Sequence, residues 1–476
     1  MKEQTLFVDI TTSLKWGQTT AVGIVRVEHY LIQYVLENYK GPIGFVVFAS
    51  EAICYRSASQ GEIALVLKFI YDCTSEPSKP SKMELMRTLS FDQVRTMSSD
   101  FFQARIKTRL DEMGIPKIIS SVGNATFRNA AAIASVVVKA VRSSSTALPS
   151  FEDVTIADRQ IQAFEPFRDK KTQEPAWLLM AGLTWDYMYY PYLCDLPKTT
   201  KLRIAHVIYD TIPVDFPQFV PNASHLYHRH FVEVGHVADV LYAISEYSAD
   251  RYTQAVLRPN LIDKTITACG LPDFLSQCDG AKAPKAIASL TRSKFVVYCS
   301  TIEVRKNHLM LINIWDRLLT MYPAKQVPKL VLVGKWGWAF EAVKNQIEQN
   351  PRLRNHIVVL SNLPDASLIW LYQNAQFTVF PSFSEGWGLA ATESLNWGTP
   401  VIVSDAPALN EAAQGLMPRL DPLDFNAWLN MIDALISSPD ALNDLREKAK
   451  GFSPLPIDSF AKGLLDIMAT KEMSAV

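Results

Sequence analysis

FPSFSEGWGLAATESLNWGTPVIVSD, residues 380–405, reads as a complete strand–loop–helix–strand unit. An apolar strand ends near Ser382. A loop carrying Glu385, Gly386 and Gly388 follows, and a helix is predicted from about Leu389 to Trp397. Gly398-Thr399-Pro400 then stops the helix, because glycine and proline end helical runs. In a parallel sheet such a unit lies at the carboxyl edge, where ligands bind. The N–H groups of Gly388, Leu389 and Ala390 would stand at the positive end of the helix dipole, which suits a diphosphate. Glu385 and Glu393 flank that anion site, and a carboxylate accepts two hydrogen bonds from a vicinal diol of a ribose or hexose.

Outward from this unit, alternation of strands and helices continues. KFVVYCS (294–300), KLVLVG (329–334), HIVVLS (356–361), FTVFPS (377–382) and PVIVSD (400–405) are apolar runs separated by helical patterns. They predict four to five parallel strands with crossover helices. The first of these leads into VVYCSTIEVRKNHLMLINIW (296–315). There the strand ends near Ser300 and the loop carries Glu303, Arg305 and Lys306 ahead of a helix. Adjacent cations at such a turn suit a phosphate pair and a departing nucleoside diphosphate.

The N-terminal half repeats the alternation. TLFVDI opens as a strand, GIVRVEHYLIQYVLENY (23–39) spaces Ile24, Val27, Tyr30, Leu31 and Tyr34 along one side of a helix, and GPIGFVVFAS is a second strand. Further strands are expected at 176–182, 202–210 and 240–246. The fold class is therefore α/β, with two Rossmann-like domains. The boundaries expected are 1–285 and 286–455. The linker is expected at 279–293, a helix-rich insertion at about 78–145, and a closing helix in 456–476 that crosses back to the first domain.

Composition narrows the classes. The chain has 476 residues, a formal net charge of −1 and 20% charged residues. A dedicated nucleic-acid binder would be far more basic, so no nucleic-acid partner is expected. The cysteines at 54, 73, 194, 269, 278 and 299 form no CxxC pair, which argues against a zinc site and a disulfide framework. The N-terminus shows no secretory signal, and the longest apolar run, residues 130–141, is too short to span a bilayer and contains Lys139. A cytoplasmic protein is expected, with peripheral association at the inner face of the membrane allowed.

The segments 380–405 and STIEVRKNHLMLI (300–312) resemble family 4 of the glycosyltransferases, which have the GT-B fold, the former through an E-x7-E signature. The resemblance implies a retaining hexosyltransferase that uses a nucleotide-diphosphate sugar without metal or other cofactor. It implies that Glu385 contacts the transferred sugar, Glu393 holds the ribose diol, and Arg305 and Lys306 hold the diphosphate. The loop SNLPDASLIWLY (361–372), with Leu363, would pass beside the base. GIVRVE (23–28), AGLTWD (181–186) and HVIYDTIPVDFP (206–217) are similar to the glycine loop and acceptor-domain segments of that group. Where many relatives carry Gly-Arg before the Arg-Lys loop, Cys299-Ser300 stands here.

Several residues admit two readings. His206 and Asp210 either face the sugar or are packed, and Asp210 also suits a turn. Gly23 is a tight turn or lies beside phosphate, and Arg26 on its helix reads as a surface ion pair. Trp336 and Trp338 stack on a ligand or cap the sheet edge. Glu411 is a late family glutamate or a helix cap. His225, His228, His230 and His236 spread around a helix, so no metal is expected from them. GDP-mannose is the favoured donor and a glycan or lipid-linked molecule the expected acceptor. A catalytically silent binding subunit, a nucleotide-sugar epimerase and a phosphorylase remain the alternatives.

Overall fold

The computed structural model describes residues 4–17, 23–50, 52–71, 175–220, 224–277 and 290–473. The expected insertion at 78–145 and most of the 279–293 linker lie outside these. The described residues form one compact unit that contains two sheets.

The N-terminal sheet is built from β1 (Thr5–Asp9), β2 (Ile43–Ala49), β3 (Cys54–Ser57), β4 (Ala176–Met180), β5 (Leu202–Ile208), β6 (Val240–Ala243) and β7 (Ile266–Ala268). Its spatial order is β3-β2-β1-β4-β5-β6-β7. All neighbours are parallel except β3, which pairs antiparallel to β2 through Val46–Ser57 and Ala49–Cys54. The inner strands are covered on both faces, so they read as continuous apolar runs rather than alternating ones. AWLLM of β4, buried at every position, is the clearest case.

The second sheet contains β8 (Phe295–Cys299), β9 (Lys329–Val333), β10 (Ile357–Leu360), β11 (Thr378–Phe380), β12 (Val401–Ser404) and β13 (Arg419–Leu420), in the order β10-β9-β8-β11-β12-β13. All six strands are parallel. The sheet is one strand larger than expected, because two-residue β13 has no hydrophobic run to announce it. The order reverses between β8 and β11, and the loops after those two strands carry Arg305-Lys306 and Glu385. A switch point of this kind leaves a crevice at the carboxyl ends of the strands.

Apolar packing is one way in which the halves of the unit are joined. Helix Ser459–Met473 buries Phe460, Ala461, Leu464 and Met468 in the core beneath the N-terminal sheet, with Phe460 against Tyr242. Trp387, from the loop after β11, is buried in that same core.

Candidate active site

Glu385 is placed by the loop between β11 and helix Leu389–Asn396. Its two oxygens meet the two cations of the loop after β8. Lys306 Nζ lies 2.5 Å from Oε1 and Arg305 Nη1 lies 3.1 Å from Oε2. Arg305 also reaches Glu303 at 2.8 Å. Burial alone would push the Glu385 carboxyl up, but Lys306 and Arg305 overcome it and hold it at about 2. Burial and the neighbouring Arg305 in turn lower the Lys306 ammonium. The loops are locked from behind by Tyr298, whose hydroxyl donates to the Lys306 carbonyl at 2.8 Å and meets Ser382 Oγ at 3.1 Å.

The helix after Glu385 starts at Gly388, which has φ of 123°, a conformation that L side chains rarely adopt. The first bond into the helix runs from Ala391 N–H to the Gly388 carbonyl at 2.9 Å. The N–H groups of Leu389 and Ala390 therefore precede the helical ladder, and no carbonyl of the helix receives them. At the other end Thr399 N–H bonds the Ser394 carbonyl and Gly398 N–H the Leu395 carbonyl, the paired bonds of a Schellman stop. Glu393 is the fifth residue of this helix. Its Oε2 accepts from the Tyr372 hydroxyl at 3.0 Å and its Oε1 from Arg26 at 3.1 Å.

Both glutamates stand where the two halves meet. The Gly386 carbonyl accepts from Ser245 Oγ at 2.7 Å and Ser248 Oγ at 3.2 Å. A Cβ on Gly386 would clash with the Tyr209 carbonyl at the end of β5. Trp338 Nε1 donates to the Phe219 carbonyl at 2.6 Å, and Phe219 stacks on Phe383 at 5.1 Å. Glu411 accepts from the N–H groups of Glu246 and Tyr247 at 2.9 and 3.2 Å, so it caps a helix of the opposite half.

Residues 281–452 match the family described as glycosyl transferases, group 1. That match covers 172 of the chain's 476 residues. The chain is 27% identical over 272 residues to O-antigen chain mannosyltransferase B of Escherichia coli, covering 56% of this chain and 70% of that one. It is also 27% identical over 153 residues to the serotype-specific mannosyltransferase WbdA of Escherichia coli, covering 32% of this chain. That match spans 17% of WbdA's own length. Among solved structures, sucrose-phosphate synthase from Thermosynechococcus elongatus aligns over 100% of both chains, with a TM-score of 0.57 and 14% identity. That likeness supports the GT-B arrangement of two Rossmann-like sheets.

The remaining candidate residues divide into those beside Glu385 and those elsewhere. Asp210 is half-buried, accepts from Ile212 N–H at 2.9 Å, and lies close enough to Arg305 and Lys306 to feel their charge. Burial raises its carboxyl, and the two cations oppose that rise. Ser300 bonds the Val333 carbonyl through its N–H and meets His308 Nε2 at 3.3 Å. Leu363 is half-buried against the apolar cluster under β8 and β9. Gly23, at φ of 53°, is the N-cap of helix Ile24–Asn38 and receives the N–H of Arg26 at 3.1 Å.

His206 is buried. Its ring meets Thr184 Oγ1 at 3.1 Å and the Val207 carbonyl at 2.9 Å, and burial lowers it to about 4. Of the four histidines on helix Ser224–Val237, His230 is buried and held by Tyr190 at 2.6 Å. Among the described residues no group of three or more His, Cys, Asp or Glu is arranged to hold a metal. Arg26 corrects the surface reading outright, since its guanidinium is buried between Glu393 and Asp365 of the other half. Nothing in the residues around position 26 signals partners more than 300 positions away.

Proposed function

We propose that this chain is a retaining hexosyltransferase that moves a hexose, mannose in the favoured reading, from a nucleotide-diphosphate sugar to a glycan or lipid-linked acceptor. One observation carries the proposal. A carboxylate gripped by a lysine and an arginine stands directly ahead of a helix whose first N–H groups have no helical acceptor, and a second carboxylate follows on the same helix.

The diphosphate would rest on the N–H groups of Leu389 and Ala390, with Arg305 and Lys306 drawn from Glu385 toward its charge. Glu385 would then accept from hydroxyls of the transferred sugar, and Glu393 from the ribose diol. As the bond from the anomeric carbon to the phosphate oxygen breaks, the cations and the helix dipole stabilise the growing negative charge. The acceptor hydroxyl would attack from the face the diphosphate leaves, and the leaving phosphate oxygen would take its proton. Contacts between the halves at Gly386, Trp338 and Glu411 would exclude water, the competing nucleophile. The reaction so drawn needs no metal.

The mannosyltransferase relatives support mannose as the sugar, and the fold supports a nucleotide donor. No described helix is long and apolar enough to cross a membrane. A panel of nucleotide sugars tested by thermal shift decides the donor, because a ligand that binds only the folded state raises its stability. GDP-mannose is expected to raise the melting temperature most. An equal or larger shift with a uridine-linked sugar would overturn that donor assignment.

A further inference from the structure

We propose that Arg26 is a positioning residue for Glu393, lent to the donor subsite by the N-terminal half, so that the subsite is complete only where the two halves meet. The inference rests on the donor reading above.

Arg26 lies in the first turn of helix Ile24–Asn38, whose Val27, Leu31, Ile32 and Val35 are buried in the N-terminal core. The helix is thereby fixed to its own half. Its guanidinium nonetheless crosses to the other half, where Nη1 meets Glu393 Oε1 at 3.1 Å and Nη2 meets Asp365 Oδ1 at 2.7 Å. The side chains of Arg26 and Glu393 are 13% and 4% exposed, so this is a buried pair. The Tyr372 hydroxyl donates to the other oxygen, Oε2, at 3.0 Å. One donor on each oxygen fixes the plane of the carboxylate. Each oxygen then has a lone pair left, and two lone pairs side by side are what a vicinal diol requires.

The charges around Glu393 give the arginine a second effect. Facing the carboxylate are Arg26 from the N-terminal helix and Asp365 and Tyr372 from helix Asp365–Asn374. Asp273, ahead of the 3-10 turn Phe274–Gln277, and Cys299 at the end of β8 complete the surroundings. Burial raises Glu393 to about 7, Asp273 and Asp365 add to the rise, and Arg26 and the Tyr372 hydrogen bond oppose it. Without Arg26 the carboxyl climbs further and is protonated at neutral pH. A protonated carboxyl keeps fewer acceptor sites for the diol. Contact between the halves therefore supplies both the orientation and the charge state that the ribose needs.

The test is the affinity for GDP, measured by calorimetry from pH 6 to pH 9 on the wild type, Arg26→Gln and Arg26→Lys, with circular dichroism and melting temperature as controls for folding. Wild-type affinity should rise through neutral pH and level off. In Arg26→Gln the rise should move to higher pH. For a shift of about one pKa unit the affinity falls about fivefold at pH 7 and most of it returns by pH 9. Arg26→Lys should retain most of the affinity. Binding of 2′,3′-dideoxyguanosine diphosphate, which lacks the diol, should be the same in wild type and Arg26→Gln. An unchanged pH profile in Arg26→Gln overturns the inference while leaving the donor reading intact. Tighter GDP binding by Arg26→Gln also overturns it, since Arg26 would then be a competitor of the ribose. A wild type that binds no nucleoside diphosphate at any pH refutes the donor reading itself.

Discussion

Replacing Lys306 with methionine, alone and together with Glu385→Gln, separates the stabilising work of the cation–carboxylate cluster from its chemical work. Lys306 Nζ lies 2.5 Å from Glu385 Oε1, and the two side chains are 13% and 11% exposed. Removing one partner of a buried pair costs about 3–5 kcal/mol, because the other charge stays buried. Glu385 keeps Arg305 at 3.1 Å, so the lower end of that range applies. Glu385 is held at about 2 rather than 4.5 by both cations together, and at about 1.4 kcal/mol per unit that amounts to about 3 kcal/mol. Lys306→Met should therefore lose about 2–3 kcal/mol in urea denaturation at pH 7. Lys306→Met/Glu385→Gln should regain most of it, since no uncompensated carboxylate remains. Turnover should behave differently. Loss of a cation that stabilises the leaving group should lower kcat by about 10²–10³-fold, and the double variant should stay inactive. If Lys306→Met matches the wild type within about 0.5 kcal/mol and its effect adds simply to that of Glu385→Gln, the two groups are not coupled and the reasoning fails.

Two further outcomes are expected. Gly386→Ala places a Cβ against the Tyr209 carbonyl and disturbs the Ser245 and Ser248 bonds to the Gly386 carbonyl. Two hydrogen bonds at about 0.5–1.5 kcal/mol each put the loss at about 1–3 kcal/mol, so transfer should fall about 5- to 100-fold while far-UV circular dichroism is unchanged. A fully active Gly386→Ala enzyme would count against the contact as a requirement for the reaction. The acid limb follows from Glu385, whose folded value is depressed. Its stabilisation is present above its ordinary value of 4.5 and is lost as pH falls toward 2. Urea titrations between pH 5 and pH 2 should show the wild type losing about 3 kcal/mol more than Glu385→Gln, and equal acid slopes would contradict the assignment.

How much of this was legible in the sequence depends on the reach of the interactions. The Glu385 loop was readable because its strand, glycines, helix and stop lie within 26 consecutive residues, and each leaves its own local mark. Strand β3 was not expected, since CYRS is short and only its first two residues are buried. β7 and β13, of three and two residues, are edge strands too short to show a period. Among the side chains, Glu411 carried both of its readings until the structure gave it the helix Glu246–Tyr252 to cap. Trp387 stands in the glycine loop by sequence, yet it fills the core of the opposite half. Arg26 was the hardest case. Its helix was predictable from spacing, but Glu393 and Asp365 lie 367 and 339 residues away, and no local pattern encodes such a meeting.

The most direct measurement is a crystal structure of the chain with GDP. Pyrophosphate oxygens are expected within hydrogen-bond distance of the Leu389 and Ala390 N–H groups, with the ribose diol on Glu393 and Lys306 turned from Glu385 toward phosphate. Nucleotide bound elsewhere, or a ribose that leaves Glu393 untouched, would contradict that arrangement.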